Sequence, residues 1–482
     1  MFRGIASFLE STASAGLAHE ELEARLDVDG RELTRQFLQD HLDLRAANEV
    51  SVVVADADDV VHKAVEPGHA RQLETIFGQV TVTRLAYRLK GGENLHPQDA
   101  VLNLPRELHS HGLRQLCAIE AARGSYEEAK AAIERATGVG VGKRQVEALA
   151  RRAAVDVDAF YDNAEREPAK ATDTLVISAD GKGIVMLPEA LRSATERAAR
   201  AAKHKLKTRL SKGEKLGRKR IAELAVVYDA SPVPRNPLDI FCHEDDRPKP
   251  EAPVAVAKWL TASVVEDASE VIAEAFNEAE RRDPAHLRPW VALVDGARHQ
   301  IDVIKSESKS RGVKIAIVVD FVHVLEYLWG AAWCFYAEGD PAAEAYVAEK
   351  GIAVLEGKAG IVAGAIRRKA TALGLDTARR KKADECARYL KNKAPYLDYG
   401  RALAAGAPIA TGVIEGSCRY IVRDRFDITG ARWSLAGAEA MLKLRAVRAN
   451  GDWASYWRYH LAEERKRVHA SRYAGGVIPR AA

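Results

Sequence analysis

The sequence has few cysteines, no long uninterrupted apolar run and no large net charge. Its five cysteines are widely spaced and form no Cys-x-x-Cys pair, which argues against a disulfide framework and against a cysteine-ligated zinc site. The most apolar stretch, 312–337, is interrupted by Lys314, Asp320, His323 and Glu326, so we expect no membrane span. The first residues lack a basic segment followed by an apolar core, so no secretory signal and a reducing cytoplasm are expected.

The nearly neutral total charge conceals an uneven distribution. The 482 residues are 47% hydrophobic and 29% charged, with 72 basic and 68 acidic residues, a composition typical of a folded protein of about three domains. Residues 1–60 contain 13 acidic and 5 basic residues, whereas 192–220 contain 12 basic and 2 acidic ones. A solvated face is the ordinary explanation of such a basic run. Its length and its lack of compensating acids favour contact with a polyanion.

Apolar periodicity predicts mainly helical structure in the first part of the chain. Residues 1–70 are predicted to form an N-terminal helical region. Residues 71–168 contain a helix-turn-helix candidate at 125–155, where Ser125 and Glu128 have the spacing of a capping box. A helical hairpin that only packs against its neighbours is the alternative.

The pattern changes near residue 170, where strand-like runs begin to alternate with helices. The runs are 174–180, 224–229, 290–295 and 314–320. The first ends in a Gly-Lys-Gly sequence that predicts a turn, and 184–187 is its expected hairpin partner. This order predicts an α/β core with a mixed sheet over 169–322. A helical region at 323–405, and a helix with a basic tail at 406–482, complete the prediction.

All four strand-like runs end in an aspartate, and three of these residues, Asp180, Asp295 and Asp320, are candidate site residues. Each one also fits an ordinary turn, because turns accept aspartate at the end of a strand. Open α/β sheets place their functional sites at the carboxyl ends of the strands, and Mg²⁺ is typically held by one or two carboxylates together with phosphate oxygens. Three acids in one α/β unit, next to basic segments, therefore favour a divalent-cation site.

A fourth acid, Glu415, lies at helical spacing from two arginines. In an α-helix Glu415, Arg419 and Arg423 would occupy positions i, i+4 and i+8 and would share one face. The acid would then hold a metal while the arginines bind phosphates. An ion pair on a solvated face is the alternative interpretation.

The segment that follows the last strand-like run contains one histidine and three aromatic residues of interest. Asp320 and His323 are interpreted either as partners that hold a metal or as structural residues that hydrogen bond locally. Tyr327, Trp329 and Trp333 are interpreted as core packing rather than as a surface on which nucleic-acid bases stack.

Five short segments occur together in an order that is characteristic of one family. They are Ala179-Asp-Gly-Lys-Gly183, Leu293-Val-Asp-Gly296, Asp320-Phe-Val-His-Val-Leu-Glu-Tyr-Leu-Trp329, Gly412-Val-Ile-Glu-Gly-Ser-Cys-Arg419 and Arg432-Trp-Ser434. In this combination, over roughly 73–460, the chain resembles the bacterial insertion-sequence transposases of the ISKra group. These are DDE transposases, and the resemblance implies a ribonuclease-H-like mixed-sheet catalytic core interrupted by an all-helical insertion. It also implies an N-terminal, mainly helical region that binds DNA.

The resemblance implies a catalytic and metal-binding triad of Asp180, Asp295 and Glu415. The triad would hold two Mg²⁺ ions, with Mn²⁺ as a substitute. Asp320 and His323 match an accessory Asp-x-x-His motif of related transposases, and Asp320 stays open as the alternative second acid. Some relatives have cysteine pairs near the N-terminus; this chain has none, which argues against an N-terminal zinc module.

The implied activity is cleavage of DNA at the inverted repeats of a transposon and joining of the freed 3′-hydroxyl to target DNA. A ribonuclease-H-like metal-dependent nuclease and a transposase-derived DNA-binding regulator are the alternatives. The implied partners are transposon-end DNA, target DNA and at least one further copy of the chain, and the implied location is the bacterial cytoplasm and nucleoid. The residues expected to contact DNA are Lys143, Arg144, Arg151, Lys182, Lys203, Lys205, Arg218, Lys219, Arg220, Arg419 and Arg423.

Overall fold

The computed structural model of the protein describes residues 1–166, 170–201, 217–241, 251–428 and 430–480. Lys203 and Lys205, two of the predicted DNA contacts, lie outside these ranges. The chain divides into two compact units, one made of Met1–Asn163 with Gly451–Ala482 and the other of Ala164–Asn450. No helix within the described ranges is long and apolar enough to cross a bilayer.

The helices and strands have the following bounds in chain order. The helices are α1 Phe2–Leu9, α2 Thr12–Ala15, α3 His19–Ala47, α4 Pro97–Val101, α5 His111–Arg123, α6 Tyr126–Thr137, α7 Lys143–Ala153, α8 Val157–Asp162, α9 Ser193–Ala201, α10 Pro237–Ile240, α11 Ala268–Arg282, α12 Arg298–Arg311, α13 Phe321–Ala332, α14 Pro341–Leu355, α15 Ala359–Ala372, α16 Lys381–Lys393, α17 Tyr399–Ala404, α18 Gly412–Ser417, α19 Asp424–Phe426, α20 Leu435–Ala449 and α21 Trp453–Val468. The strands are β1 Ala64–Thr75, β2 Gly78–Arg88, β3 Thr174–Val185, β4 Lys219–Ala230, β5 Ala255–Ser263, β6 Trp290–Val294 and β7 Ile315–Val319.

The first unit combines helices with the antiparallel hairpin of β1 and β2. Thr75 pairs with Gly78 at the turn, and Gly78 has a positive φ of 115° that favours glycine. Helix α3 packs on β2, and Leu42 of that helix joins Leu73 and Val80 in a small apolar core. Burial alternates along Gly78–Arg88, as expected for a strand with one face on this core.

Helices α5, α6 and α7 pack against one another in the first unit. The Ser125 hydroxyl accepts a hydrogen bond from the Glu128 backbone N–H at 3.1 Å, and the Glu128 carboxylate accepts one from the Ser125 N–H at 2.7 Å. The predicted capping box is therefore confirmed. Gly138 ends α6 with φ of 72°, and α7 then begins at Lys143. The side chains of Lys143, Arg144 and Arg151 are exposed on α7, and their contact with DNA stays a prediction.

A buried polar network explains why the C-terminal helix α21 groups with the first unit. The Arg114 guanidinium, fully buried on α5, donates to Glu464 at 3.0 Å and lies 3.2 Å from the His460 Nε2 atom. The other ring nitrogen of His460 lies 2.7 Å from the Asp156 carboxylate, to which Arg467 donates two hydrogen bonds. Buried charges require such partners. Residues 451–482 therefore group with the first unit and Glu415 belongs to the second, whereas the sequence prediction kept 406–482 together.

The second unit contains a five-stranded sheet in the order β5-β4-β3-β6-β7. Strand β4 pairs with β3 and β5 antiparallel, whereas β3 with β6 and β6 with β7 are parallel. Helix α11 covers β3, β4 and β5, and α20 packs on β5. Strand β6, which is parallel to both of its neighbours, is buried along its whole length, as expected for such a strand. The predicted α/β class with a mixed sheet is confirmed.

Strand β3 differs from the prediction at its two glycines. It runs without a break through Gly181 and Gly183 and pairs with β4 along its whole length, so the predicted turn and the hairpin partner at 184–187 are wrong. A Cβ atom on Gly181 would lie 2.7 Å from Ile221 Cγ2, and one on Gly183 would lie 2.8 Å from Lys219 Cδ. The glycines therefore allow the neighbouring strand to approach closely rather than reverse the chain.

The chain between β7 and α18 is helical, as its sequence pattern predicted. Helix α13 packs against α14 and α16, and α15 packs against α16. The interpretation of the aromatic residues on α13 as core packing is wrong for two of them, because 45% of Trp333 and 37% of Tyr327 is exposed. Helix α13 is therefore not fully covered by its neighbours.

Candidate functional site

Two of the predicted acids end neighbouring parallel strands at the same level. Val294 of β6 pairs with Val319 of β7, so the next residues, Asp295 and Asp320, follow the last paired positions side by side. Side chains at matching positions of parallel strands point to the same face of the sheet. Asp295 and Asp320 therefore lie side by side at the carboxyl edge of the sheet.

Asp180, on the central strand β3, occupies the position that corresponds to Asp295 on β6. Ser178 of β3 pairs with Leu293 of β6, so Asp180 is two residues beyond that pair and corresponds in register to Asp295. Unlike the other two aspartates, Asp180 stays within its strand, because the antiparallel pairing of β3 with β4 continues past it. Asp180, Asp295 and Asp320 therefore occupy corresponding register positions on three neighbouring strands.

Asp320 is fully buried and begins helix α13. Its carboxylate accepts a hydrogen bond from the Val322 backbone N–H at 2.8 Å, which is the usual arrangement of an aspartate at a helix N-cap. The Thr411 hydroxyl lies against its other oxygen. A buried carboxylate needs such donors, because its desolvation is otherwise costly.

Thr411 also brings Glu415 to this position from far along the chain. Thr411 precedes α18 and Glu415 follows within it, and the hydroxyl of Thr411 lies 3.1 Å from a carboxylate oxygen of Glu415. One hydroxyl has a single proton, so it can donate to only one of the two carboxylates at a time. The two carboxylates therefore keep a negative charge that is not compensated by the hydroxyl, and this charge favours binding of a cation between Asp320 and Glu415.

The imidazole of His323 completes a group of three side chains with ligand atoms close together. One atom each from Asp320, His323 and Glu415 lies within 4.8 Å of the others. Burial opposes the charged form of His323, but a hydrogen bond with Glu326 at 3.0 Å and the carboxylates of Asp320 and Asp295 outweigh it and raise the pKa of the imidazole. The raised pKa reflects the negative potential at this edge of the sheet.

Cys418 connects the same segment to Asp180. The Cys418 thiol donates to the Asp180 carboxylate at 3.3 Å, and burial together with the nearby Asp180 charge raises the pKa of that thiol. The segment that carries Glu415 therefore contacts Asp320 through Thr411 and Asp180 through Cys418. Neither Thr411 nor Cys418 was predicted from the sequence as a site residue, although both are at helical spacing from Glu415.

Asp295 lies outside the group of three ligand atoms. Its carboxylate accepts a local hydrogen bond from the Ala297 backbone N–H at 2.7 Å. Its backbone carbonyl accepts one from the Tyr389 hydroxyl of α16 at 3.2 Å. The side chain of Asp295 is thus held within its own turn, whereas Asp320 is held by buried contacts.

One further carboxylate near Asp180 was not predicted. Glu223 of β4 pairs with Gly181, and burial together with the charge of Asp180 raises the pKa of Glu223 above its ordinary value. No local motif marks this residue, because its position follows only from the pairing of β3 with β4.

The arginines that follow Glu415 are exposed, but the helix that carries them is not regular. The chain continues from α18 into a π-helix, Cys418–Arg423, in which hydrogen bonds run from i to i+5. The i, i+4, i+8 spacing therefore does not define one α-helical face, contrary to expectation. Arg419 and Arg423 remain accessible to a ligand, and Arg445 of α20 donates to the Ile421 carbonyl at 2.8 Å.

The basic residues on β3 and at the start of β4 that were predicted to bind DNA differ in what their side chains contact. The Arg220 guanidinium donates to the backbone carbonyls of Val264 at 2.7 Å and Ala190 at 3.4 Å, so it supports the surrounding loops. Lys182 is exposed on β3, and Arg218 and Lys219 are half-buried. Among these four, Lys182 is the most accessible to a nucleic acid.

Replacing Thr411 tests whether it joins Asp320 to Glu415. We expect Thr411→Val to lower the free energy of unfolding by about 1–3 kcal/mol, because the buried Asp320 carboxylate loses a donor. The matched variant Thr411→Ser keeps the hydroxyl and should stay within about 1 kcal/mol of wild type. Urea denaturation followed by circular dichroism measures both. Equal stability of Thr411→Val and wild type would show that the link does not contribute.

Comparisons with protein-family models and with curated proteins found no match for this chain.

Proposed function

We propose that this protein is a DDE transposase, which cuts DNA at the ends of a transposon and joins the freed 3′-hydroxyl to target DNA. The main support is that Asp180, Asp295 and Asp320 occupy corresponding positions on neighbouring strands, while the distant segment of Glu415 contacts Asp320 through Thr411 and Asp180 through Cys418. If the aspartates were only turn residues, there would be no reason for a helix far along the chain to bring Glu415 next to Asp320.

The sheet order supports a ribonuclease-H-like core. Counted from β3, the five strands lie in the order third, second, first, fourth, fifth. This order puts the first strand, with Asp180, between the antiparallel and the parallel parts of the sheet. The acids that the resemblance assigns to the first and fourth strands are then neighbours, and Glu415 is contributed by a later helix.

The donor atoms present suit hard divalent cations. Carboxylate oxygens from Asp180, Asp295, Asp320 and Glu415 are the ligands that Mg²⁺ and Mn²⁺ prefer, and the nitrogen of His323 is better suited to Mn²⁺ than to Mg²⁺. Asp180, Asp295 and Glu415 would hold the two ions, with Asp320 and His323 beside them. When bound, the ions would activate the attacking oxygen and stabilise the departing 3′-oxygen.

The protein's own residues would position the DNA around this centre. Arg419 and Arg423 are exposed on the segment that carries Glu415, so they would bind the backbone next to the scissile phosphate. Helix α7, with Lys143, would contribute to recognition of the transposon end. No protein nucleophile is required, because water and then the 3′-hydroxyl act as nucleophiles; at least two copies of the chain would process the two ends together.

The proposal is tested with DNA from both sides of the coding sequence, which should contain the inverted repeats. Labelled fragments are incubated with purified protein, Mg²⁺ or Mn²⁺, and a supercoiled target plasmid. We expect nicks that leave 3′-hydroxyl ends at the repeats and labelled strands joined to the plasmid, and neither product in EDTA. Metal-dependent cleavage without joining would favour the nuclease. Binding to the ends without any nick in either metal would favour the regulator.

A further inference from the structure

Helix α3 has large apolar side chains on the face that its own unit leaves uncovered. Its inner face packs on β2, with Leu42 in the small apolar core and the Gln39 side chain hydrogen bonded to the Thr81 backbone. On the outer face, Phe37 and Leu44 are 60% and 62% exposed. They are seven residues apart, so they lie on one side of the helix. Two such residues on the solvent side of one helix are typical of a surface that contacts a partner.

The outer face of α3 is also negatively charged. Asp40 lies between Phe37 and Leu44 at helical spacing and is exposed. Among the described residues, no cation lies within 4.0 Å of its carboxylate. Three arginines of α3 already pair with other acids of the helix: Arg25 with Asp29, Arg31 with Asp27 and Arg35 with Glu32. Because residues 1–60 contain 13 acidic and 5 basic residues, two copies of this face would repel each other, and its partner should be basic.

Residues 358–393, in the second unit, have the opposite charge. They contain 11 basic and 3 acidic residues and include α15 and α16. Four of the basic residues have a carboxylate within 4.0 Å, which leaves seven without one in the part of the chain that the structure describes. Two of the acids are taken up by cations of α16, since Asp384 pairs with Arg380 and Glu385 with Lys382. The segment therefore keeps a large positive charge at its surface.

Helix α15 combines an apolar residue and a cation on its outer face. Its inner face, with Val362 and Ile366 buried, packs against α16. Ile361 and Arg368 lie seven residues apart on the opposite side, and 67% of Ile361 is exposed. Between them, a Cβ atom on Gly364 would lie 3.3 Å from Arg368 Nη1, so the glycine lets the guanidinium lie back along the helix. This face suits an acidic amphipathic helix better than a DNA backbone, because phosphates offer no partner for an isoleucine.

We propose that the outer face of α3 in one copy of the chain docks on the outer face of α15 in a second copy. Phe37 and Leu44 would pack on Ile361, and Asp40 would pair with Arg368. Both faces repeat after seven residues, about 10.5 Å along a helix, so their apolar and charged positions match in one packing. Each copy offers both faces, and two reciprocal contacts would close a dimer. This inference is independent of the proposed DNA chemistry, although it would supply the second copy that two transposon ends require.

The test measures the mass of the purified full chain by sedimentation equilibrium over a range of protein concentrations, without DNA or metal. We expect a dimer that weakens with salt, since opposite charges attract across the interface. Asp40→Arg and Arg368→Asp should each raise the dissociation constant about tenfold or more, because each variant places like charges opposite each other. Both side chains are exposed, so the variants should fold, which circular dichroism checks.

Two further variants control for an unspecific effect of charge. The double variant with both Asp40→Arg and Arg368→Asp restores opposite charges, and its dissociation constant should lie within about threefold of that of wild type. Glu127→Arg reverses an exposed acid of the first unit on α6, whose nearest cation is Lys130 at 3.9 Å. It should leave the dissociation constant unchanged.

Three outcomes would overturn the inference. They are a chain that stays monomeric at every concentration, a dimer that neither single reversal weakens, and a double variant that dimerises as poorly as the single ones. If Arg368→Asp weakened binding of a DNA duplex while the dimer stayed intact, the basic face would be a nucleic-acid surface instead. A monomer that still cleaves and joins DNA refutes the interface alone. A dimer that responds as expected but never cleaves DNA refutes the proposed function instead.

Discussion

Replacing Glu415 by glutamine should abolish metal-dependent DNA cleavage, with a loss of at least roughly 10²–10³-fold in rate. The substitution preserves the size of the side chain and an oxygen that can lie against Thr411, while it removes the negative charge that would hold a cation. Folding and DNA binding should therefore be nearly unchanged. Asp180→Asn should have the same effect, because Asp180 is the acid of the central strand.

The assay for this prediction compares initial nicking rates in Mg²⁺ and in Mn²⁺, together with a binding measurement in EDTA. Glu356→Gln is the matched control, since it neutralises an exposed glutamate whose partner is Lys358 at the surface. Its rate should equal that of wild type. A Glu415→Gln variant that cleaves within about threefold of wild type would show that the carboxylate takes no part in the chemistry.

The second prediction with a large expected effect distinguishes the role of Asp295 from that of Asp320. We expect Asp295→Asn to lose cleavage to the same extent as Glu415→Gln while keeping wild-type stability, since among the described residues its carboxylate accepts a single, local hydrogen bond from the Ala297 N–H. Asp320→Asn should instead lower the free energy of unfolding by about 1–3 kcal/mol, because it changes a buried helix cap and its contact with Thr411.

Urea denaturation and the nicking assay, applied to both variants, give the decisive comparison. An active Asp295→Asn protein together with an inactive Asp320→Asn protein of wild-type stability would make Asp320 the second catalytic acid. That result would agree with the close approach of Asp320, His323 and Glu415.

Local patterns in the sequence were sufficient for several parts of the fold. Apolar runs that end in aspartate predicted the parallel strands β6 and β7 and the acids at their ends. Ser125 and Glu128 predicted the start of α6, because both halves of a capping box lie within four residues. Such features depend on neighbours in the sequence, so the sequence alone reveals them.

The errors arose where the outcome depends on distant partners. Gly181 and Gly183 suggested a turn, but the approach of β4 decides their role. The grouping of α21 with the first unit depends on Arg114, which is buried against residues about 350 positions later. The exposure of Trp333 likewise follows from how α13 packs, which its apolar sequence did not indicate.

The acids of the candidate site could be chosen from the sequence, but the side-chain contacts that connect them could not. Asp180, Asp295, Asp320 and Glu415 could be chosen from strand ends and from the resemblance. Thr411 and Cys418 were missed, because a hydroxyl and a thiol have no significance until the segment that carries Glu415 reaches the sheet edge. Glu223 was missed for the same reason, since only the pairing with Gly181 brings it near Asp180.

The most direct measurement is an anomalous X-ray diffraction map of crystals grown with Mn²⁺. We expect strong manganese peaks at coordination distance from carboxylate oxygens of both Asp180 and Glu415, and we expect these peaks to be absent from crystals of Glu415→Gln. Manganese bound only elsewhere, or the absence of any peak beside these two carboxylates at saturating Mn²⁺, would contradict the proposed function.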